Sequence, residues 1–332
     1  MTPRIHTRNA LPSCLAALFA LALALAPALS AAADNRSPTP PLAESAKDRT
    51  VHEGEGAQLR LQVLLDRARF SPGQIDGLAG SNQQRALRGF QQARGLEATG
   101  EADAATWEAL EQDHAPVLVQ HRLTEADIAG PYAELPDDMM EQAELEQLGY
   151  ASLAEALGER FHASPALLRK LNPELDDARA GDAIVVPAVA TGALPAAARI
   201  VVDRSDSVLQ LLDAQDTLIA QFPASTGSER DPLPVGEWKV VTVVEDPTFH
   251  YNPELFWDAD PAHSKATLAP GPNNPVGTVW IDLDKKHYGI HGTPAPEGVG
   301  KGQSHGCIRL TNWDARAVAA AVRAGVPVTL QE

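Results

Sequence analysis

The sequence is poor in cysteine, in positive charge and in long apolar runs. Two cysteines, Cys14 and Cys307, in 332 residues cannot staple a fold with disulfides or complete a four-cysteine zinc site. Lys and Arg number 27 against 44 Asp and Glu, a formal charge of −17. A chain of that sign lacks the basic face that non-specific nucleic-acid binding requires. One long uncharged run exists, Leu15 to Leu29, so a multi-span membrane protein is excluded. What the chain has is an ordinary 44% of hydrophobic residues, which excludes wholesale disorder. The length suggests two or three domains.

Arg4 and Arg8 precede the apolar run, which ends in Ser30-Ala31-Ala32-Ala33. A basic start, a short apolar core and small residues read as a signal peptide over residues 1–33; an uncleaved anchor is the alternative. Cys14 precedes the apolar core instead of following it, which argues against lipidation. Cleavage would remove Cys14 and leave Cys307 as the lone thiol of an exported chain. Such a cysteine is an inert core residue, an intermolecular bridge or a nucleophile.

Residues 34–56 are polar and proline-bearing and predict a flexible leader. Residues 57–112 predict a three-helix domain: Leu59, Val63 and Leu64 share one face, Ala86, Leu87 and Phe90 a second, Trp107 and Leu110 a third. A glycine-rich turn, 71–80, separates the first two helices. Residues 113–149 are acidic and predict a solvated connector. Residues 150–188 predict two helices and a terminal strand, Ala183 to Pro187. From 199 to 331 short strand-like runs alternate with turns, and one late helix opens at Thr311-Asn312-Trp313-Asp314. This predicts a mostly β, sandwich-like domain.

The segment His291-Gly292-Thr293 through Ser304-His305-Gly306-Cys307-Ile308-Arg309 gathers two histidines and the exported thiol. A free thiol is only slightly ionised at neutral pH. An imidazole can take its proton and hold the thiolate as an ion pair. The glycine- and proline-rich stretch 294–303 can fold back and bring His291 against Cys307. Gly306 permits an uncommon backbone angle, and the N–H groups of Gly306 and Cys307 can form an oxyanion hole. His305, two residues from the thiol, fits an orienting role. A zinc set of His287, His291, His305 and Cys307 is the competing reading, but no carboxylate completes it at an obvious spacing.

Three resemblances follow from these residues. Pro72-Gly73-Gln74-Ile75-Asp76-Gly77, Phe90-Gln91, Gly95-Leu96, Thr99-Gly100 and Thr106-Trp107 resemble the peptidoglycan-binding type 1 domain. Asn82-Gln83 stands where that family often has a threonine. Residues 150–188 resemble a degenerate LysM module lacking its first strand. The segment His-Gly-Thr to Ser-His-Gly-Cys-Ile-Arg-Leu-Thr-Asn, with Pro234-Val235-Gly236 and the loop Pro270 to Gly277, resembles the YkuD-type L,D-transpeptidase catalytic domain.

The last resemblance implies Cys307 as nucleophile and His291 as general base. Gly292, Ser304, His305 and Gly306 would orient the imidazole or the oxyanion, and Arg309, Trp280 and Asn274 would contact substrate. It implies no metal or organic cofactor. The substrate would be a peptidoglycan tetrapeptide stem that loses D-alanine to a thioester. The acceptor would be a second stem, an envelope lipoprotein or a D-amino acid, with water giving an L,D-carboxypeptidase. The arginine form of the motif is similar to that of Gram-negative members and implies a periplasmic location. A wall-binding protein without activity is the reading from another class.

Overall fold

The structure is a computed structural model that describes residues 41–189, 192–302, 304 and 306–332. The expected signal peptide lies outside the described residues, as does His305. Among the described residues no helix is long and apolar enough to cross a membrane.

Four helices open the described chain: α1 (Pro41–Lys47), α2 (Gly54–Arg67), α3 (Ser81–Ala93) and α4 (Ala104–Leu110). The last three are the expected bundle, with Leu59, Val63, Leu64, Ala86, Leu87, Phe90, Trp107 and Leu110 all buried. Helix α1 corrects the leader. Leu42, Ala43 and Ala46 are buried, and α1 lies so close to α2 that a Cβ on Gly56 would fall 2.6 Å from the carbonyl carbon of Ser45. Alanine spacing in a proline-bearing segment gave no helical stripe to read; the helix depends on that packing.

Strand β1 (Leu118–Arg122) comes next, then α5 (Glu125–Ala129), α6 (Met139–Gln142), α7 (Leu153–Arg160), α8 (Pro165–Leu171) and β2 (Ala183–Pro187). Ser152 and Ser164 cap α7 and α8 through their hydroxyls, and Pro165 occupies the first turn of α8. Strand β1 pairs antiparallel with β2 over five residues. The acidic segment thus supplies the strand that residues 150–188 lacked, and it is not merely a solvated connector. The rest of that segment straps onto the next domain: Leu135, Met139 and Met140 pack around Leu148, Tyr251 and Leu268. One cluster of buried apolar side chains takes in residues from Leu42 to Val186, together with Leu218, so the helical domain and the β-α-α-β unit share a core.

The third region contains β3 (Arg199–Asp203), β4 (Val208–Leu212), β5 (Leu218–Pro223), β6 (Gly236–Glu245), β7 (Phe249–Tyr251), β8 (Ala266–Leu268), β9 (Val279–Leu283), β10 (Gly289–His291), β11 (Ile308–Arg309), α9 (Asn312–Ala321) and β12 (Pro327–Gln331). Eight strands form one sheet in the order β11-β10-β9-β6-β12-β3-β4-β5, and β7 and β8 form a separate hairpin. The long strand β6 pairs with β12 at its start and β9 at its end, with an irregularity between Val240 and Thr242. A local bulge of this kind bends a strand and raises its twist. The sheet curls there, and both halves feed one core with Val318 of α9. This is the expected mostly β domain, its two layers made from one curled sheet.

Candidate active site

Strand β11 lies parallel to β10, with Ile308 opposite Ile290 and Arg309 opposite His291. Side chains alternate along strands. Ile290 and Ile308 are fully buried in the core, so Cys307, Arg309 and His291 share the other face. The sequence separates His291 from this group by the 292–306 loop; parallel pairing closes it.

His291 is 5% exposed. Its Nδ1 lies 2.6 Å from the carbonyl oxygen of Gly292, so Nδ1–H donates and Nε2 is left to accept a proton. The Trp280 ring stacks on the imidazole at 5.6 Å, a consequence of the register that sets Trp280 opposite His291. Burial and the nearby Arg309 charge, only partly offset by the Gly292 bond, push the imidazole down to about 4. Burial raises the Cys307 thiol, against a backbone N–H of Gly289 and the Arg309 charge. Both shifts favour the neutral forms over the thiolate–imidazolium pair expected from the sequence: desolvation disfavours both charges, and Arg309 opposes the imidazolium. Among the described residues Cys307 and His291 share no hydrogen bond; Sγ lies 3.7 Å from His287 O.

Gly306 adopts φ +103°, and a Cβ there would approach the Tyr288 ring to 3.0 Å. Ser304 is buried; its hydroxyl donates to Cys307 O at 2.5 Å and its N–H to Thr226 O at 3.0 Å. It ties the turn before the thiol, and Gly292 is the group that orients the imidazole. Arg309 bonds through its backbone to Ser225 in both directions, while its half-buried guanidinium has an Nε without a hydrogen-bond partner among the described residues.

Asn274 is a correction. It is fully buried; its amide donates to Ala269 O at 2.8 Å and Pro247 O at 3.4 Å, and its oxygen accepts from Val276 N–H at 3.0 Å. It staples its own loop and presents nothing to a substrate. Trp280 covers the imidazole.

Two residues escaped sequence reasoning. Asn312 is 1% exposed beneath the His291 turn. Its Oδ1 accepts from Thr278 N–H, and its Nδ2 donates to Pro272 O at 3.0 Å and to Glu159 at 3.3 Å. A Cβ on Gly292 would fall 2.1 Å from Asn312 Oδ1. Glu159 comes from α7, and burial pushes its carboxyl up to about 7 despite Arg316. The Thr-Asn-Trp-Asp cap was the one available signal for Asn312; nothing local marks Glu159. Among the described residues no group of three or more His, Cys, Asp or Glu could hold a metal ion.

Comparison with known proteins defines the class. Residues 197–330 match the YkuD family, the L,D-transpeptidase catalytic domain, and residues 58–110 match the family described as "Putative peptidoglycan binding domain". The chain thus carries a YkuD-type L,D-transpeptidase catalytic domain behind a peptidoglycan-binding domain. Among particular relatives, it is similar to "Putative L,D-transpeptidase YkuD" of Bacillus licheniformis, 29% identical over 53% of this chain and 92% of that protein. The Bacillus subtilis protein of the same name is 28% identical over 51% and 88%. An L,D-transpeptidase structure from Mycobacterium smegmatis aligns with TM-score 0.33 and 20% identity, covering 46% of this chain and 64% of that one.

Proposed function

We propose that this chain is an exported, periplasmic peptidoglycan L,D-transpeptidase with Cys307 as nucleophile. The observation that carries the reading is the register that sets Arg309 opposite His291 with Cys307 two residues before it, and an imidazole whose Nε2 has no hydrogen-bond partner among the described residues. As Sγ attacks the carbonyl on the L-centre of the third stem residue, the thiol proton passes to Nε2. The N–H groups of Gly306 and Cys307 receive the developing oxyanion. The imidazolium returns the proton to the leaving D-alanine amine as the C–N bond breaks, giving a thioester. An acceptor amine then attacks, loses a proton to His291, and expels the thiol. The Arg309 Nε, without a partner among the described residues, favours a guanidinium that receives a substrate carboxylate.

The β-α-α-β unit of residues 118–187 supports a LysM-like module interrupted by residues 123–152. With the peptidoglycan-binding domain it would hold the enzyme on its insoluble polymer and raise the local concentration of stems. The test is mass spectrometry of a disaccharide-tetrapeptide incubated with the full exported chain and with Cys307→Ala. Cys307-dependent D-alanine release with cross-linked dimer is the expected result. Release yielding only tripeptide monomer would assign water as acceptor and an L,D-carboxypeptidase; a lipoprotein or D-amino acid acceptor is tested by adding it. Intact stems in both samples would overturn the assignment.

A further inference from the structure

One face of α3, inside the peptidoglycan-binding domain, is spent on the catalytic domain. Asn82 is 7% exposed, and its Nδ2 donates to Val299 O at 2.8 Å. Arg85 Nη1 donates to Gly300 O at 2.9 Å and to Asn82 Oδ1 at 2.8 Å. Both carbonyls lie in the loop between the His291 turn and Cys307. That loop is shaped for the approach: Gly300 has φ +72°, and a Cβ on it would fall 2.4 Å from Asn82 Oδ1. The N–H of Gly300 donates to Ser225 Oγ at 3.0 Å. Ser225 in turn exchanges two backbone hydrogen bonds with Arg309, at 2.8 and 2.9 Å. A continuous polar chain thus runs from α3 to the strand that begins one residue after the thiol. It also accounts for Asn82 itself. Helix α3 starts after Gly80 without a side-chain cap, so this residue serves as an interdomain staple and not as a cap.

We propose that Asn82 and Arg85 are positioning residues for the acyl transfer: they fix the 298–300 loop and, through Ser225, the placement of Cys307 relative to His291. The inference rests on Cys307 being the nucleophile. A buried carbonyl held by a side chain from another domain loses its partner when that side chain is truncated, and the loop shifts. Small misplacements of a nucleophile are costly in rate.

The experiment measures kcat and KM for D-alanine release by the full exported chain, together with the pH profile of Cys307 alkylation by iodoacetamide. In Asn82→Ala/Arg85→Ala, kcat is expected to fall about tenfold with KM within about twofold, and the alkylation profile to shift. Arg85→Lys keeps a donor and should restore most of the loss. Gly89→Ala serves as the structural control. Its Cβ would fall 2.7 Å from the Gln221 side chain, which donates to Arg85 O; this disturbs the same interface while leaving in place both side chains that hold the loop, and kcat should hold. A double variant with unchanged kcat, or an equal loss of kcat in Gly89→Ala, would overturn the inference. If the wild type releases no D-alanine, it is the proposed function that fails; an unchanged alkylation profile in the double variant would then overturn the positioning role separately.

Discussion

In the proposed mechanism His291 works as a neutral base. Its imidazole stays uncharged down to about pH 4, so the acid limb of kcat/KM should fall well below the ordinary histidine range, as a pH–rate profile would show. Because the thiol is raised, alkylation of Cys307 should climb through the alkaline range without the early plateau of a preformed ion pair. His291→Ala should cost about 10²–10⁴-fold in kcat, read by the same D-alanine assay. Asn274→Ala separates a staple from a substrate contact. It strands the Val276 N–H and two carbonyls, so about 1–3 kcal/mol of stability should be lost on chemical denaturation, with KM unchanged in the protein that folds. Cys307 and His291 could be named as candidates from the sequence because the chemistry dictates residue type and the motif dictates order. Asn274 was misread because an amide in a loop looks alike whether it faces solvent or its own backbone.

Three elements meet at a buried polar cluster. His162, at the end of α7, stacks on Trp313 at 5.2 Å and pairs with Asp66 of α2 at 2.7 Å. Asp314 of α9 accepts from the Ser71 hydroxyl at 2.9 Å. Burial pushes the Asp314 carboxyl up to about 7, against the His162 charge. A carboxyl held above its unfolded value keeps its proton longer in the folded chain. It therefore stabilises at low pH, and that contribution fades between about pH 4 and 7. Asp314→Asn carries no such proton, so its melting temperature should gain on the wild type across this window; calorimetry at several pH values checks the sign. Helix existence here was legible from apolar spacing. Strand β1 was not, because Leu118 is its one buried residue and its partner lies beyond two helices and an insertion.

For the whole molecule, the described residues from 41 to 332 form one compact unit. Sequence boundaries at 57–112, 150–188 and 199–331 mark motifs, whereas the packing joins them: a shared core in front, polar staples behind. The motifs were readable because each keeps its own local pattern. The joins were not, since Gln221, Asn82 and Glu159 carry no local signal of what lies across an interface. Limited proteolysis of the exported chain should accordingly leave the three regions joined in one large resistant fragment, and separate domain-sized products would refute this.

The docking of the helical domain has a further consequence for the sheet itself. Strand β5 ends the eight-stranded order, and a terminal strand offers unpaired amides and carbonyls to any other chain. Here Gln221 receives a backbone hydrogen bond from Ser71 at 2.8 Å and gives one to Arg69 O at 2.9 Å, so the turn after α2 closes that border from within the same polypeptide. The peptidoglycan-binding domain thereby acts as a guard against edge-to-edge self-association. A truncation beginning at residue 197 would lose solubility as well as any grip on the wall.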